Sequence, residues 1–196
     1  MRAVAALVLA LGLAGGALAA EDPAEPVAVA VVKENGHYQL SAEFRVPVSL
    51  RTAWAVLTDF EHMAEFLPGV KESHVIAHSG NQLTVQQKGE SPTGLIPVEY
   101  ETLRLIELRP YQSIRSRTLK GNLGSVEGET RLTAEGRNLT LVQYTATAHP
   151  DSALAGLVPS SLLKDGLKAQ FQAMRAEMLR RARLQVGKSL VPPGGG

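Results

Sequence analysis

Residues 49–70 read SLRTAWAVLTDFEHMAEFLPGV, and their punctuation decides how the chain around them is arranged. Ser49 suits a helix N-cap, because its hydroxyl accepts from the orphan N–H groups of a first turn. Leu50 to Thr58 follow, with Ala53, Trp54 and Leu57 at helical spacing. Asp59 predicts the cap of a second short helix over Phe60 to Phe66, with Glu61 favourably placed in its first turn. Leu67-Pro68-Gly69 stops that helix.

Upstream, Tyr38, Leu40, Ala42, Phe44 and Val46 share one parity, and Gln39, Ser41, Glu43 and Arg45 the other. That alternation is a half-buried strand ending at Pro47. Val27 to Val32 is a β-branched run, and Glu34-Asn35-Gly36 between them predicts a hairpin turn.

Downstream, strand-like segments alternate with turns: Val70 to Ala77, Leu83 to Lys88, Leu95 to Leu108, Tyr111 to Leu119, Val126 to Thr133 and Leu139 to Ala148. They predict an antiparallel meander. The Leu95 segment changes phase, since Ile96, Val98 and Tyr100 have one parity and Leu103 and Leu105 the other. A β-bulge near Thr102 would keep all five on the buried face; two shorter strands are the alternative. After an apolar loop from Asp151 to Val158, a long helix is expected over about Leu162 to Gln185. Leu163, Leu167, Phe171, Met174 and Met178 form its apolar stripe, opposite Asp165, Lys168, Gln172 and Arg183. The fold class is therefore α+β: a curved antiparallel sheet with one long helix across its concave face and a cavity between them.

The N-terminus has an export pattern: Arg2, an apolar run from Ala3 to Leu13 broken only by Gly12, then Gly15-Gly16 and Ala17-Leu18-Ala19. Residues 1–19 are expected to be a signal peptide cleaved near Ala19, residues 20–26 a linker, 27–186 the domain and 187–196 a disordered tail. The run is short for a membrane span, and a bacterial periplasm or secretion is the expected destination. Lys plus Arg number 20 and Asp plus Glu 19; losing Arg2 leaves 19 of each. A neutral domain has no general attraction for nucleic acid. With no cysteine, disulfides, thiolate metal sites and Cys nucleophiles are excluded.

The stretches Ala53-Trp54-Ala55-Val56-Leu57-Thr58-Asp59-Phe60 and Glu65-Phe66-Leu67-Pro68-Gly69-Val70 resemble the opening of the START-like (SRPBCC) superfamily, and most nearly its coenzyme Q-binding and polyketide cyclase branch. The order of elements over about Tyr38 to Arg183 agrees. The resemblance implies a helix-grip fold, a curved sheet wrapped around a long C-terminal helix with two short helices after the first core strand. It also implies an apolar ligand such as a lipid, quinone or polyketide. It carries over no catalytic set, and fold alone does not choose among these functions.

Candidate chemistry is sparse. His74 and His78 lie on a predicted strand, where i and i+4 are about 13 Å apart, so they cannot share an ion; no metal and no cofactor is expected. Arg115 and Arg117, across a hairpin centred on Asn122, should face Glu129 and Glu127. That set is either an acid/base constellation in the cavity or a solvated outer ladder, and unpaired buried charge is costly enough to favour the ladder. Glu99 and Glu101 share parity opposite Val98 and Tyr100, which alternation explains without chemistry. Arg180, Arg181 and Arg183 are placed at the end of the long helix, where its dipole favours them; transient membrane contact is the minor alternative.

The residues expected to line the cavity are Leu57, Phe60, Phe66, Val98, Tyr100, Ser116, Val126, Tyr144, Leu163, Leu167, Phe171 and Met174. Tyr100 and Tyr144 each offer one hydroxyl to orient a mostly apolar ligand. Three functions follow: an exported binder or carrier of an apolar small molecule; a cyclase or aromatase-type enzyme with tyrosine and arginine as proton donors; and an interaction protein with a filled core. Arg104 shares parity with Tyr100 only if no bulge intervenes.

Overall fold

The structure is a computed structural model, and it describes residues 26–91, 98–151 and 159–189. The expected signal peptide, nearly all of the linker, the start of the Leu95 segment, the loop after Asp151 and the end of the tail lie outside the described residues.

Eight antiparallel strands form one sheet in the order β1-β2-β8-β7-β6-β5-β4-β3. The strands are β1 Ala28–Glu34, β2 His37–Val46, β3 Val70–Ser79, β4 Gln82–Ser91, β5 Val98–Arg109, β6 Ser113–Gly121, β7 Ser125–Gly136 and β8 Leu139–His149. The β1–β2 hairpin turns at Asn35 and Gly36, both at positive φ (50° and 83°), as Asn-Gly permits. Helices α1 (Leu50–Leu57) and α2 (Met63–Phe66) follow β2, and α3 (Ser160–Ser189) closes the domain. This is the curved open sheet and long C-terminal helix of the helix-grip fold.

Ser49 caps α1 as expected, its Oγ accepting from the N–H of Thr52 at 3.2 Å. Asp59 does not cap the next helix. That segment begins as a 3₁₀ turn, Phe60–His62, with no side-chain cap, and Asp59 turns instead to His62 and Arg181. Gly69 (φ +80°) is needed where β3 begins, because a Cβ there would lie 2.6 Å from the Glu90 carbonyl oxygen.

No bulge interrupts β5 near Thr102. Its register with β4 runs unbroken from Gln82–Glu107 to Ser91–Val98. The irregularity lies on β6, where Leu103 pairs Lys120 but Arg104 pairs Thr118, leaving Leu119 unpaired. Tyr100, Thr102, Arg104, Ile106 and Leu108 therefore share the inner face. Leu105 faces outward, where it helps to line a groove of about 700 Å³ with Arg115, Arg117, Glu127 and Glu129.

The inner core is centred on Val46, Val56, Val85, Ile106, Val142 and Met178. Helix α3 packs mainly on β1, β2 and α1, so it covers one end of the sheet rather than its middle. Phe171 is buried with its ring 5.9 Å from Phe44 and 5.2 Å from Tyr144.

Candidate functional site: a polar track inside the grip

The inner faces of β3, β4 and β5 carry a row of polar side chains in a mostly apolar setting. Ser73 and Gln87, cross-strand partners, are both buried. Gln87 Nε2 donates to Ser73 Oγ at 3.0 Å and to Met63 Sδ at 3.4 Å. Its Oε1 accepts from Arg104 Nη2 at 2.5 Å. Each amide group of Gln87 is thereby used.

Arg104 is not so well provided for. Its Nε is out of solvent and has no hydrogen-bond partner, and among the described residues no carboxylate forms an ion pair with it. Burial pushes its guanidinium down from the usual range, partly offset by the electrostatic influence of Tyr144 and Tyr100. Arginine does not escape burial by losing its proton. An inward cation with an idle donor is thus a standing demand for an acceptor.

Tyr100 and Tyr144 both feel this cation electrostatically. Burial raises both phenols above their ordinary range, with Arg104 opposing the shift, so both stay protonated and able to donate. Each lies beside a glycine. A Cβ on Gly89 would fall 2.9 Å from the Tyr100 hydroxyl, and one on Gly128 would fall 3.3 Å from the Tyr144 ring.

Of the residues expected to line the interior, Leu57, Phe60 and Phe171 are buried in the core, and Phe66, Tyr144, Leu167 and Met174 pack against it. Tyr100, Ser116, Val126 and Leu163 are half-buried. The side chain of Val98 lies outside the described residues. Reasoning from sequence missed Ser73, Gln87 and Arg104 as a connected set. A signal did exist: polar residues at inward parity on three consecutive strands.

The Arg115–Glu129 and Arg117–Glu127 pairs stand in the expected register, with Arg115 Nε 3.0 Å from Glu129 Oε1. They face outward, so the ladder reading holds and they take no part in the interior. Arg180 and Arg181 are not at the helix end. Helix α3 continues to Ser189, and both arginines bond Glu177.

Comparison with known proteins agrees with this fold. No curated protein matches the sequence. Among solved structures, TTHA0849 from Thermus thermophilus is 18% identical, covering 74% of this chain and 99% of that one, with a TM-score of 0.64. Human STARD10 is 14% identical over 82% of this chain and 76% of that one, with a TM-score of 0.62. The Zhui aromatase/cyclase from Streptomyces sp. R1128 is 16% identical over 82% and 99%, with a TM-score of 0.57. At these identities the likeness is one of fold. The family model described as "Polyketide cyclase / dehydrase and lipid transport" matches residues 46–175, and the chain belongs to that family.

Proposed function

We propose that this protein binds a mostly apolar small molecule bearing one anionic or strongly accepting end, with that end taken by Arg104. The observation that carries the reading is the buried Nε of Arg104, which has no partner. The apolar body would lie against the inner face of β5 to β8 and the stripe Leu163, Leu167, Phe171 and Met174. Burial at about 25 cal/mol per Å² would supply most of the affinity, and a charge-assisted bond to the guanidinium would fix orientation. Tyr100 and Tyr144 would add hydroxyl donors. The family description and neighbours named as a STAR-related lipid transfer protein and an aromatase/cyclase support an apolar ligand.

A second reading is a cyclase or aromatase-type enzyme. It is favoured by the unbroken β5 register, which puts Arg104 on the same face as Tyr100. Two protonated phenols beside a fixed cation are suited to polarising a ligand carbonyl and delivering a proton to it. Coenzyme Q is one ligand the first reading admits.

We also take the chain to be exported, on the pattern ending at Ala17-Leu18-Ala19. The native protein would begin at Ala20 or Glu21, which intact mass reads directly. Recovery of the full-length chain would defeat this part of the reading.

The test of function is mass spectrometry of the organic extract from protein purified from its own source. A stoichiometric amphiphile with a carboxylate, phenolate or similar end is expected. An empty protein, or one carrying an ion-free hydrocarbon, would overturn the reading.

A further inference from the structure

His74 and His78 cannot share an ion, but strand geometry does allow two histidines to meet when they stand opposite each other on paired strands. His37 and His149 do so. They are 112 residues apart and lie one step beyond the Tyr38–Ala148 pair of β2 and β8. Their Nδ1 atoms are 2.8 Å apart, and the ring centroids are 4.2 Å apart with planes at 60°. His37 is exposed and His149 half-buried. The other three histidines are engaged elsewhere: His62 with Asp59, His74 with Glu61, and His78 with the Gly80 carbonyl.

We propose that His37 and His149 form a bidentate site for a divalent transition-metal ion of tetragonal preference, with Cu(II) held most tightly. As it stands, the contact works only while a single proton is shared between the two nitrogens; without it, two lone pairs face each other. A straight N–H···N bond would hold the ring centres farther apart than 4.2 Å. The nitrogens are therefore inclined to the line joining them, as two ligands of one ion are.

The spacing selects the metal. Imidazole nitrogens bind at about 2.0–2.1 Å, so a separation of 2.8 Å subtends about 85° at the ion, given bonds of that length. That is close to the right angle between neighbouring ligands in tetragonal Cu(II) and Ni(II) sites. A tetrahedral zinc ion would need the nitrogens about 3.3–3.4 Å apart. Copper also stands highest in intrinsic affinity for nitrogen ligands.

Among the described residues no group of three His, Asp or Glu side chains stands ready to close such a site, so water fills the remaining positions. Glu34, the register partner of His37 on β1, is the carboxylate best placed to swing in. Because both histidines are on paired strands rather than a loop, little chain ordering is needed on binding.

The test is Cu(II) titration of the full chain, stripped with a chelator, in a non-coordinating buffer. Visible absorption and electron paramagnetic resonance are the readouts. One ion per chain with two imidazole nitrogens is expected. His37→Gln and His149→Gln should each weaken binding by about tenfold or more, and the double variant should be little worse than either. His74→Gln and His78→Gln should bind as wild type. All variants should melt at the wild-type temperature in chelator; wild type and the His74 and His78 variants should gain stability from copper by mass action, and the His37 and His149 variants should gain far less. Should His149→Gln melt early, His37→Gln, at the more exposed position, carries the comparison. Copper bound equally well by the His37 and His149 variants, as at a free N-terminus, would overturn the proposal. So would a preference for Zn(II), or no uptake, which would leave a pair that only shares a proton.

Discussion

The Nη2 of Arg104 donates to the Oε1 of Gln87 at 2.5 Å, and Gln87 passes the connection on to Ser73 at 3.0 Å. The track thus has a fixed inner end and an unfinished outer one. Gln87 holds the guanidinium in place, while Nε remains without an acceptor. Positioned by side chains on two neighbouring strands, the cation is preorganised for a ligand rather than drawn to one.

Replacing Arg104 by methionine separates binding from stability. Removing a half-buried charge that has no carboxylate partner is favourable, and orphaning the Gln87 carbonyl costs about 1–3 kcal/mol. The net change in unfolding free energy should stay within about 1 kcal/mol. Affinity for a fluorescent fatty-acid probe should fall about tenfold or more, while an uncharged ester of the same chain should change far less. Equal losses for the two probes would mean that Arg104 does not read charge.

The glycines beside the tyrosines give a second test. A Cβ on Gly89 would lie 1.9 Å from the Gly69 carbonyl oxygen, a backbone atom that cannot swing aside. On Gly128 the nearest atom is the Ala146 Cβ, at 2.7 Å, followed by the Thr145 carbonyl oxygen at 2.9 Å. Gly89→Ala should therefore destabilise by about 3 kcal/mol and Gly128→Ala by about 1 kcal/mol, the range of overpacked cores. Urea unfolding ranks them, and the reverse order would show that the β3–β4 end relaxes more easily than its geometry implies.

The parts of the fold legible in the sequence were those written in local chemistry. Asn35-Gly36, Ser49 and the alternation from Tyr38 to Val46 each fix one short-range geometry. The phase of β5 was misread for a definite reason. Leu105 is apolar because it lines the outer groove, so apolar residues of both parities reflect burial on both faces rather than a bulge. The Asp59 side chain was misread because its partner, Arg181, lies on the last helix. The meeting of His37 with His149, like that of Gln87 with Arg104, depends on a register that no local window contains.

Phe171 tests how α3 grips the sheet. Its ring sits between Phe44 and Tyr144 and is buried. Phe171→Leu keeps an apolar side chain of somewhat smaller volume and should cost about 1–2 kcal/mol. Phe171→Asp buries a carboxylate and should cost several times more, through the desolvation of an unpaired charge. Where folded Phe171→Asp is recovered at low temperature, binding of the fatty-acid probe should be lost while Phe171→Leu retains most of it. Folded Phe171→Asp that binds as wild type would move the ligand away from α3.

Acid sensitivity should trace to Glu177, which ties α3 to the turn before α2. Its carboxylate accepts from Arg180 Nε and Arg181 Nε, both at 2.6 Å, and Arg181 reaches Asp59 at 2.7 Å. Asp59 in turn bonds His62 at 2.6 Å. The hydrogen bond from Arg180, working against burial and aided by Arg181, holds Glu177 down at about 2 from an ordinary 4.5. For Asp59, burial pushes upward, but the bonds to His62 and Arg181 outweigh it and keep the carboxyl below its usual value. A carboxylate with a depressed folded value stabilises fully above its unfolded value and loses that contribution as pH falls through the folded one. The contribution of Glu177 should therefore be complete at neutral pH and disappear between about pH 5 and pH 2. The His62 shift has the opposite sign: the bond to Asp59 raises it, so its contribution is full in mild acid and fades as pH rises past its folded value. Glu177→Gln should lower stability at pH 7 by about 2 kcal/mol, the value of hydrogen bonds to a charged group. Denaturant unfolding of both proteins from pH 7 to pH 2 reads the difference. The two curves should converge toward pH 2, where wild type has lost what the variant never had. Curves that coincide over that range would show that α3 is held by its apolar face alone and that the Glu177–Arg181–Asp59 chain adds nothing.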